Sequence, residues 1–389
     1  MKHDLIVFGE DWGGLPSSTQ HLITQLSHTH KVVWVNSIGL RQPKWSLHDI
    51  KRAWKKLIQP KLTQSKGTIK NKVHSAPFQT VNLKTIPAPK GLLARWLAKQ
   101  LIIKQLKPII QQAQLQHPIL WTSLPTVADV CGNLGESRIV YYCGDDFGAL
   151  AGVDHEVVLK HEEKLIQKSD LILAASSVLC AKFPQNKVRH LPHGVDFPLF
   201  NLPIARAIDL PNDGRPIAGF YGSLSKWLDY DLLNHTIEKN PDWHFIFIGQ
   251  NELPNNPLIE RENVHILGAR EHHQLPSYSQ HWQVSLLPFV DNEQIRSCNP
   301  LKLLEYLATG TPIISTDFPA LSPYKSTIHT VNSVENFSLQ LKKIHTKWEK
   351  ENITCSVEVP HKQNQQSSLI KSHTWQARSA QLTTWLDEL

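Results

Sequence analysis

The stretch 299–316 constrains the fold most, because it reads as a helix that stops abruptly and leads into a short apolar strand. Asn299 is a good N-cap residue, and Pro300 suits the first helical position. Three leucines recur at helical spacing and would make one apolar face, namely Leu303, Leu304 and Leu307. Gly310 ends the helix and Pro312 prevents it from resuming. The pattern therefore predicts an αβ unit.

Two charged residues in this helix, Lys302 and Glu305, fall on the face opposite the leucines at about 100° per residue. A cation and a free helix N-terminus suit a phosphate group. A carboxylate one turn further along can accept hydrogen bonds from a sugar diol. These residues predict a site for a nucleoside diphosphate, and the alternative is a solvated ion pair on an ordinary helix.

The motif Asn-Pro-x-Lys-x-x-Glu-Tyr-x-Ala-x-Gly-x-Pro, at 299–312, resembles the donor-nucleotide motif of GT-B glycosyltransferases. It is most similar to bacterial enzymes of capsule, teichuronic acid and exopolysaccharide assembly. The resemblance implies that Asn299, Lys302 and Glu305 bind a nucleotide-sugar donor. Such motifs often carry a second glutamate eight positions earlier, where this chain has Ser297. That departure leaves open whether the reaction retains or inverts the sugar configuration.

The resemblance also implies an α/β fold of the GT-B type, with two Rossmann-like domains that face a central cleft. We expect an acceptor-binding domain at 1–200 and a donor-binding domain at 214–370. The segment 371–389 is expected to be a helix that packs back on the first domain. Alternating apolar strands and helices, separated by a linker near 200–215 without periodicity, fit this organisation.

The first strand, Leu5–Gly9, leads into a loop with Gly13 and Gly14. Their backbone N–H groups are candidates to face a diphosphate or another substrate, and the resemblance places this loop beside the cleft. A tight strand-to-helix turn is the alternative. The GxGxxG dinucleotide fingerprint is not present at this position.

A later strand, 138–143, delivers Asp145 and Asp146 at its carboxyl end, where open α/β sheets bind their ligands. One of them is a candidate base for an acceptor hydroxyl, and a helix cap or turn acid is the alternative. The pattern Tyr-x-x-x-Asp-Asp resembles the same bacterial enzymes and favours Asp145 over Asp146. No ligand cluster supports a metal, so we expect neither a metal nor another cofactor.

Two further turns carry candidate binding residues. The turn at His193 resembles the one that closes the first domain in these enzymes, and His193 is a candidate to border the cleft. The second domain opens with a strand followed by Gly222, Ser223 and Lys226. There the backbone, the hydroxyl and the ammonium are candidates to contact the diphosphate. A structural turn and a surface lysine are the respective alternatives.

Charge is unevenly distributed, although the whole chain has a formal net charge of +7. The window 41–107 holds 16 basic residues and a single acid, Asp49. Within it, 44–62 combines tryptophan and aliphatic residues with lysines, which is typical of an interfacial membrane helix. It would equally suit an anionic lipid-linked acceptor, or a domain helix with a basic rim. No nucleic-acid-binding module is recognisable.

Five scattered cysteines without a CxxC pair indicate a reducing compartment. The short opening strand does not resemble a leader, and we expect a cytoplasmic protein, with peripheral contact at the inner face of the plasma membrane. The predicted function is sugar transfer from a nucleotide donor to an acceptor hydroxyl in cell-surface glycan synthesis. A nucleotide-sugar epimerase of the same fold, or a non-catalytic nucleotide- or polysaccharide-binding protein, are the alternatives.

Overall fold

The structure is a computed structural model that describes residues 3–14, 16–37, 76–86, 89, 91–150, 154–354 and 369–389. The predicted basic helix at 44–62 lies outside these residues. The chain divides into two compact units. Unit 1 comprises Met1–Ala174, Cys180–His190 and Gln381–Leu389, and unit 2 comprises Ala175–Leu179 and Leu191–Ala380.

Unit 1 is built on a parallel sheet whose described strands lie in the order β3-β2-β1-β4-β5-β6-β7. Its strands are β1 (Leu5–Phe8), β2 (Val32–Val35), β3 (Gln79–Val81), β4 (Ile119–Thr122), β5 (Arg138–Cys143), β6 (Leu171–Ala174) and β7 (Val188–His190). Its helices are α1 (Ser18–Leu26), α2 (Leu92–Ala113) and α3 (His155–Lys168), and the short α4 (Ser177–Cys180) follows β6.

Unit 2 holds a second parallel sheet, in the order β10-β9-β8-β11-β12-β13 for its described strands. These are β8 (Ile217–Tyr221), β9 (His244–Ile248), β10 (Val264–Ile266), β11 (Val284–Leu287), β12 (Ile313–Ser315) and β13 (His329–Thr330). The helices are α5 (Phe197–Asn201), α6 (Tyr230–Lys239), α7 (Pro276–Ser279), α8 (Glu293–Ser297), α9 (Leu301–Thr309), α10 (Val334–Thr354) and α11 (Trp375–Asp387), which crosses into unit 1.

Both sheets reverse their winding direction beside their first strand, at β1–β4 in unit 1 and at β8–β11 in unit 2. A reversal leaves a crevice at the carboxyl ends of the flanking strands, and open α/β proteins bind ligands there. The strands are continuous apolar runs, and β1 and β8 are completely buried. Burial on both faces is what a parallel sheet covered by helices requires. The predicted fold of two Rossmann-like domains is therefore confirmed.

One predicted helix start differs from the structure, and two connections between elements are irregular or tightly wound. The helix predicted from Asn299 begins at Leu301, because Pro300 keeps extended backbone angles and occupies the N-cap position. After β4 the chain forms a 3₁₀ turn over Pro125–Asp129. After Gly222 the chain stays irregular until α6, whose N-cap is Asp229.

A cluster of ion pairs around Asp129 holds two helices of unit 1 against this 3₁₀ turn. Arg95 of α2 donates from Nε and one terminal nitrogen to the two carboxylate oxygens, both at 2.8 Å. Lys164 of α3 donates to Oδ1 at 2.5 Å. Although burial opposes ionisation, these two partners lower the pKa of Asp129 to about 2. The cluster thus stabilises the packing of α2 and α3 as long as Asp129 is charged.

We expect Asp129→Asn to lower the free energy of unfolding by about 2 kcal/mol at pH 7. Because the folded pKa lies below the unfolded value, this stabilisation is complete above about pH 4 and is lost as the pH falls towards 2. Urea unfolding at pH 7 and at pH 3 measures both effects. The exposed Asp242→Asn is the matched control and should change stability little. Equal losses in the two variants would contradict the assignment.

Candidate functional site

The candidate site of unit 2 begins where β8 ends, at Gly222. This residue has φ +135°, a conformation that side-chain-bearing residues rarely adopt, and a Cβ there would overlap Nζ of Lys302. Its N–H donates to the carbonyl of Ile248 at 2.8 Å, which fixes the backbone beside the end of β9. Glycine at this position therefore allows the lysine of α9 to reach the carboxyl end of β8.

Lys302 is half-buried and lies beside two aromatic rings. Its Nζ is 4.7 Å from the ring centroid of Phe220 and 5.6 Å from that of Phe289. Burial lowers its pKa to about 8, although the charge of Glu305 opposes the shift. Among the described residues no acceptor or carboxylate makes a hydrogen bond or ion pair with this ammonium. The geometry presents a partly desolvated cation that an anionic ligand would stabilise.

Glu305 is buried one turn further along α9, with both carboxylate oxygens engaged. The hydroxyl of Tyr221 donates to Oε2 at 2.8 Å. Nε2 of His272 lies 2.7 Å from Oε1. The predicted alternative, a solvated Lys302–Glu305 pair, does not describe this arrangement, because neither residue is fully exposed.

Tyr221 and Tyr306 fix the geometry around this carboxylate. The hydroxyl of Tyr306 accepts a hydrogen bond from the backbone N–H of Tyr221 at 3.0 Å. The two rings meet edge to face with centroids 4.7 Å apart. Burial, followed by the charge of Glu305, keeps the pKa of Tyr221 well above its usual value, so the phenol remains a hydrogen-bond donor.

His272 is the histidine that contacts Glu305. It lies in a 3₁₀ turn after β10, and its ring packs edge to face on Phe200 with centroids 5.4 Å apart. Burial works against the charged imidazole. The hydrogen bond and the charge of Glu305, with a smaller effect of Asp196, outweigh it and raise the pKa of His272. Protonation therefore strengthens the contact that holds Glu305.

The other predicted residues of unit 2 are distributed around this centre. Ser223 follows Gly222 and is half-buried, whereas Lys226 is exposed. Within the described residues, no contact joins Lys226 to Lys302 or Glu305. Asn299 does not cap α9; its side-chain amide donates to the carbonyl of Ala175 at 3.0 Å. Asn299 therefore anchors the loop that leads into the helix.

His193 lies in a buried turn of unit 2 that touches the C-terminal helix. Its carbonyl accepts a hydrogen bond from Nε of Arg378 at 3.4 Å. A Cβ on Gly194 would approach the ring and the backbone nitrogen of Trp375 to 2.8 Å, so only glycine fits there. Asp196 caps α5, as Leu199 N–H donates to its carboxylate at 3.2 Å. Asp196 therefore has a structural role in this turn.

In unit 1 the loop after β1 is a tight turn closed by its own backbone. Gly13 has φ +79°, and the N–H of Gly14 donates to the carbonyl of Asp11 at 3.0 Å. Asp11 in turn accepts from the hydroxyl of Ser37 at 2.8 Å. An added Cβ on Gly13 would meet no atom within 4 Å, so the open side of the turn has room for a ligand.

The two aspartates after β5 differ in their surroundings. Asp146 forms an ion pair with Lys182 and accepts from the N–H of Gly148 at 3.0 Å. Solvent reaches Asp145, and no described residue donates to its carboxylate. Protein atoms around Asp145 raise its pKa, first by desolvation and then through the charges of Glu10 and Asp146. Asp146 serves as the turn acid, and Asp145 is the better candidate base.

Sequence reasoning did not identify Tyr221 and His272 as members of the site. Tyr221 is the last residue of β8, and its position directly before the glycine turn is a usable signal. His272 lies 33 residues before Glu305 in a polar segment, and nothing in its local pattern indicates the contact. The described residues contain no His, Cys, Asp and Glu group arranged to hold a metal ion. None of the helices described is long and apolar enough to cross a bilayer.

The contact between His272 and Glu305 predicts a pH dependence of stability. Because the folded pKa of His272 is raised, its stabilising effect is complete below about pH 6.5 and is lost as the pH rises through the folded value. We expect His272→Gln to lower stability by about 1–3 kcal/mol at pH 6 and by less at pH 8.5. Thermal unfolding between these pH values measures the difference. His273→Gln, an exposed neighbour, is the control and should not alter the profile.

Comparisons with known proteins agree with this architecture. The family profile described as Glycosyl transferases group 1 matches residues 215–343. A Bacillus subtilis (strain 168) protein, provisionally named teichuronic acid biosynthesis glycosyltransferase TuaH, is 24% identical over 223 residues. That match covers 52% of this chain and 56% of the relative, so the chain spans about half the length of the curated relative it matches.

Two solved structures are similar over the whole chain. Anabaena HepE in complex with UDP and glucose has a TM-score of 0.66 at 11% identity and covers 100% of both chains. Sucrose-phosphate synthase from Thermosynechococcus elongatus has a TM-score of 0.67 at 14% identity, covering 100% of this chain and 99% of that one. Residues 215–343 therefore match the family Glycosyl transferases group 1, and the chain as a whole has the fold of the GT-B glycosyltransferases.

Proposed function

We propose that the chain is a glycosyltransferase that moves a sugar from a nucleotide-sugar donor to an acceptor hydroxyl. The observation that carries the proposal is Lys302, a partly desolvated ammonium without a counterion among the described residues. It lies at the carboxyl end of β8, inside the matched family domain. The epimerase and the binding-protein alternatives have no comparable support, because the family and the curated relative are both named for glycosyl transfer.

In this proposal the donor diphosphate lies against Lys302 and the backbone at Gly222 and Ser223. The ammonium offsets the negative charge that develops on the diphosphate as the sugar leaves. Because the site is partly desolvated, a charge contact there is stronger than one in bulk water. Lys226 is exposed and supplies a more distant positive charge. The HepE structure contains UDP, which makes UDP-sugars the first donors to test.

Glu305 is proposed to bind the ribose diol of the donor. Each carboxylate oxygen has two lone pairs, so the contacts with Tyr221 and His272 leave one acceptor position on each. These contacts also hold the carboxylate in one orientation before the ligand arrives. A carboxylate held in this way loses little conformational entropy on binding.

Asp145 is proposed as the base that accepts the proton of the acceptor hydroxyl. Its raised pKa brings the carboxylate nearer to the operating pH, which favours proton transfer. Gly13 and Gly14 line the acceptor side of unit 1 in this proposal, and His193 is proposed as a substrate-binding residue of unit 2. No metal is required, since the lysine and the backbone neutralise the leaving group.

The acceptor is proposed to be lipid-linked or polysaccharide in nature, as the name of the Bacillus relative suggests for that protein. The basic stretch 41–107 would attract an anionic acceptor or membrane surface. We propose a cytoplasmic enzyme at the inner face of the plasma membrane, without a nucleic-acid partner. The four cysteines in the described part of the chain are free thiols, which suits a reducing compartment.

Donor binding should depend on pH through Lys302. A bound diphosphate raises the pKa of this lysine from about 8, so binding near pH 8 takes up protons. We expect UDP-sugar affinity to fall as the pH rises through 8. Calorimetric titration in buffers of different ionisation enthalpy measures the proton uptake directly. Lys302→Met should remove the uptake and weaken binding at least tenfold, whereas the exposed Lys347→Met should do neither.

Binding by wild type without proton uptake would contradict the role of Lys302.

Thermal stabilisation by UDP-, GDP-, TDP- and CMP-sugars identifies the donor, since a ligand at 100 times its dissociation constant adds about 2.7 kcal/mol. Glu305→Ala should weaken that stabilisation. If no nucleotide sugar stabilises a folded sample, the donor site itself is wrong.

Substitutions of Asp145 and Asp146 should have different effects on kcat and on stability. We expect Asp145→Asn to lower kcat by roughly 10²–10⁴-fold with little change in donor affinity. Asp146→Asn should mainly lower stability, because it removes the ion pair with Lys182. Product analysis measures transfer to an acceptor against free sugar nucleotide. Epimerised donor, or turnover unchanged in Asp145→Asn, would contradict the proposal.

A further inference from the structure

The loop that follows β1 in unit 1 carries a tryptophan that is held in place but only partly covered. Trp12 is half-buried, and its ring meets Trp34 and Phe78 edge to face with centroids 5.1 and 4.6 Å away. Trp34 is completely buried, whereas Phe78 is half-buried. We call these three residues the aromatic cluster. Within the described part of unit 1, the cluster packs on Trp34 and reaches the surface at Trp12 and Phe78.

Hydrogen bonds with neighbouring segments fix this loop. The N–H of Trp12 donates to Oδ1 of Asn36 at 2.9 Å, and Nε1 of Trp34 donates to the carbonyl of Glu10 at 3.1 Å. The side-chain amide of Asn36 donates in turn to Oδ1 of Asn82 at 2.8 Å. The indole ring of Trp12 therefore keeps its position without a ligand. A ligand that binds on it does not have to order the loop, which lowers the entropic cost of binding.

Two carboxylates directly precede Trp12, and each is held by one oxygen only. The hydroxyl of Ser17 donates to Oε2 of Glu10 at 2.9 Å. The hydroxyl of Ser37 donates to Oδ1 of Asp11 at 2.8 Å. No hydrogen bond from the described residues reaches Oε1 of Glu10 or Oδ2 of Asp11. The loop therefore offers two oriented acceptors for the hydroxyl groups of a ligand.

A buried hydroxyl without a partner lies beside the start of the same loop. The N–H of Ser123 donates to the carbonyl of Phe8 at 3.2 Å, which places Ser123 next to the end of β1. Ser123 is only 9% exposed, yet its hydroxyl has no hydrogen-bond partner among the described residues. An unpaired buried hydroxyl costs free energy. A ligand that carries hydroxyl groups would supply the missing partner at this edge of the sheet.

The charges around Trp12 favour a neutral ligand. Among the described residues, no lysine or arginine forms an ion pair with Glu10 or Asp11, and neither residue type occurs in 9–30 or 76–83. A phosphate or a ligand carboxylate would therefore be repelled. A hydrocarbon chain would leave the two carboxylate oxygens without donors. A neutral sugar ring fits both features, because it has C–H groups on its faces and hydroxyl groups around its rim.

We propose that this loop is a subsite for a neutral pyranose ring of the acceptor. One face of the ring stacks on the indole of Trp12, whose π-electrons attract the C–H hydrogens. Hydroxyl groups at the rim donate to the free oxygens of Glu10 and Asp11. The inference rests on the proposed function in one respect, since it takes the ligand to be the acceptor. It adds the chemical class of the acceptor residue, which is a neutral pyranose and not a uronic acid.

The subsite lies at the same edge of the sheet as the candidate base. Trp12 follows β1 and Asp145 follows β5, and both strands pair with β4. The charge of Glu10 raises the pKa of Asp145, which requires the two carboxylates to be near each other. A ring bound by Glu10 would therefore present its hydroxyl groups on the side of Asp145.

Saturation-transfer NMR of the full chain with methyl β-glucopyranoside tests the subsite without turnover. We expect the transfer to be strongest for the C–H protons of one ring face. Trp12→Leu keeps an apolar contact with the cluster but removes the aromatic face, and should raise the dissociation constant roughly tenfold. Trp12→Phe should retain most of the affinity. Trp96→Leu, which removes an exposed tryptophan of α2, is the matched control and should bind as wild type.

Methyl β-glucuronide, which has the same ring with a carboxylate, tests the charge. We expect the wild-type chain to bind it at least about fivefold more weakly than the glucoside, because Glu10 and Asp11 repel it. Asp11→Asn should reduce this difference, whereas Asp242→Asn, at an exposed position of unit 2, should leave it unchanged. Equal affinity of the wild-type chain for the two sugars would contradict a neutral subsite.

Thermal stabilisation by UDP-sugars, measured on the same variants, separates this inference from the proposed function. Trp12→Leu should be stabilised as wild type, since the proposed donor residues belong to unit 2, and this result also shows that the variant is folded. A chain that binds a nucleotide sugar but not the glucoside overturns the subsite, as does glucoside binding unchanged in Trp12→Leu. Glucoside binding through Trp12 without any nucleotide-sugar binding would retain the subsite and contradict the proposed transfer reaction.

Discussion

The candidate donor site depends on one close approach, that of the Lys302 ammonium to the backbone at Gly222. The absence of a side chain at Gly222 gives the lysine its place, and the aromatic rings of Phe220 and Phe289 line that place. Burial costs the ammonium part of its hydration, and the lowered pKa reports this cost. The fold can hold such a group because β8 and α9 are rigidly packed around it, and an anionic ligand would restore much of the lost solvation.

Glu305, the second charged group of the site, is stabilised by hydrogen bonds within the protein. Glu305 is buried too, but its oxygens are satisfied within the protein by Tyr221 and His272. A buried carboxylate is tolerated when hydrogen bonds and a positive charge compensate for lost water. Lys302 and Glu305 thus lie one turn apart on α9, but their charges are compensated in different ways. Lys302 has no hydrogen-bond or ion-pair partner among the described residues, whereas Glu305 is held before a ligand binds by contacts that depend on pH.

Sequence reasoning recovered the parts of this arrangement that depend on local pattern. Apolar strands, the αβ unit at 299–316 and the two-domain fold follow from periodicity and from glycine and proline positions, and the structure agrees. The predicted cap of α9 lies one residue too early, because the N-cap preference of asparagine does not take into account that the Asn299 amide binds the carbonyl of Ala175 instead. His272 was missed for a deeper reason. Its contact with Glu305 joins distant segments, and only the folded sheet brings them together.

The contact between Gly222 and Lys302 also has an evolutionary consequence. A residue larger than glycine at 222 would occupy the volume that the end of the lysine side chain now fills. The two positions are therefore expected to change together among descendants of this sequence. A longer residue at 222 is compatible only with a shorter one at 302, and such a lineage would have to recruit its cation from another helix. The residues at positions 222 and 302 therefore show together whether a related sequence still places a lysine at the end of β8.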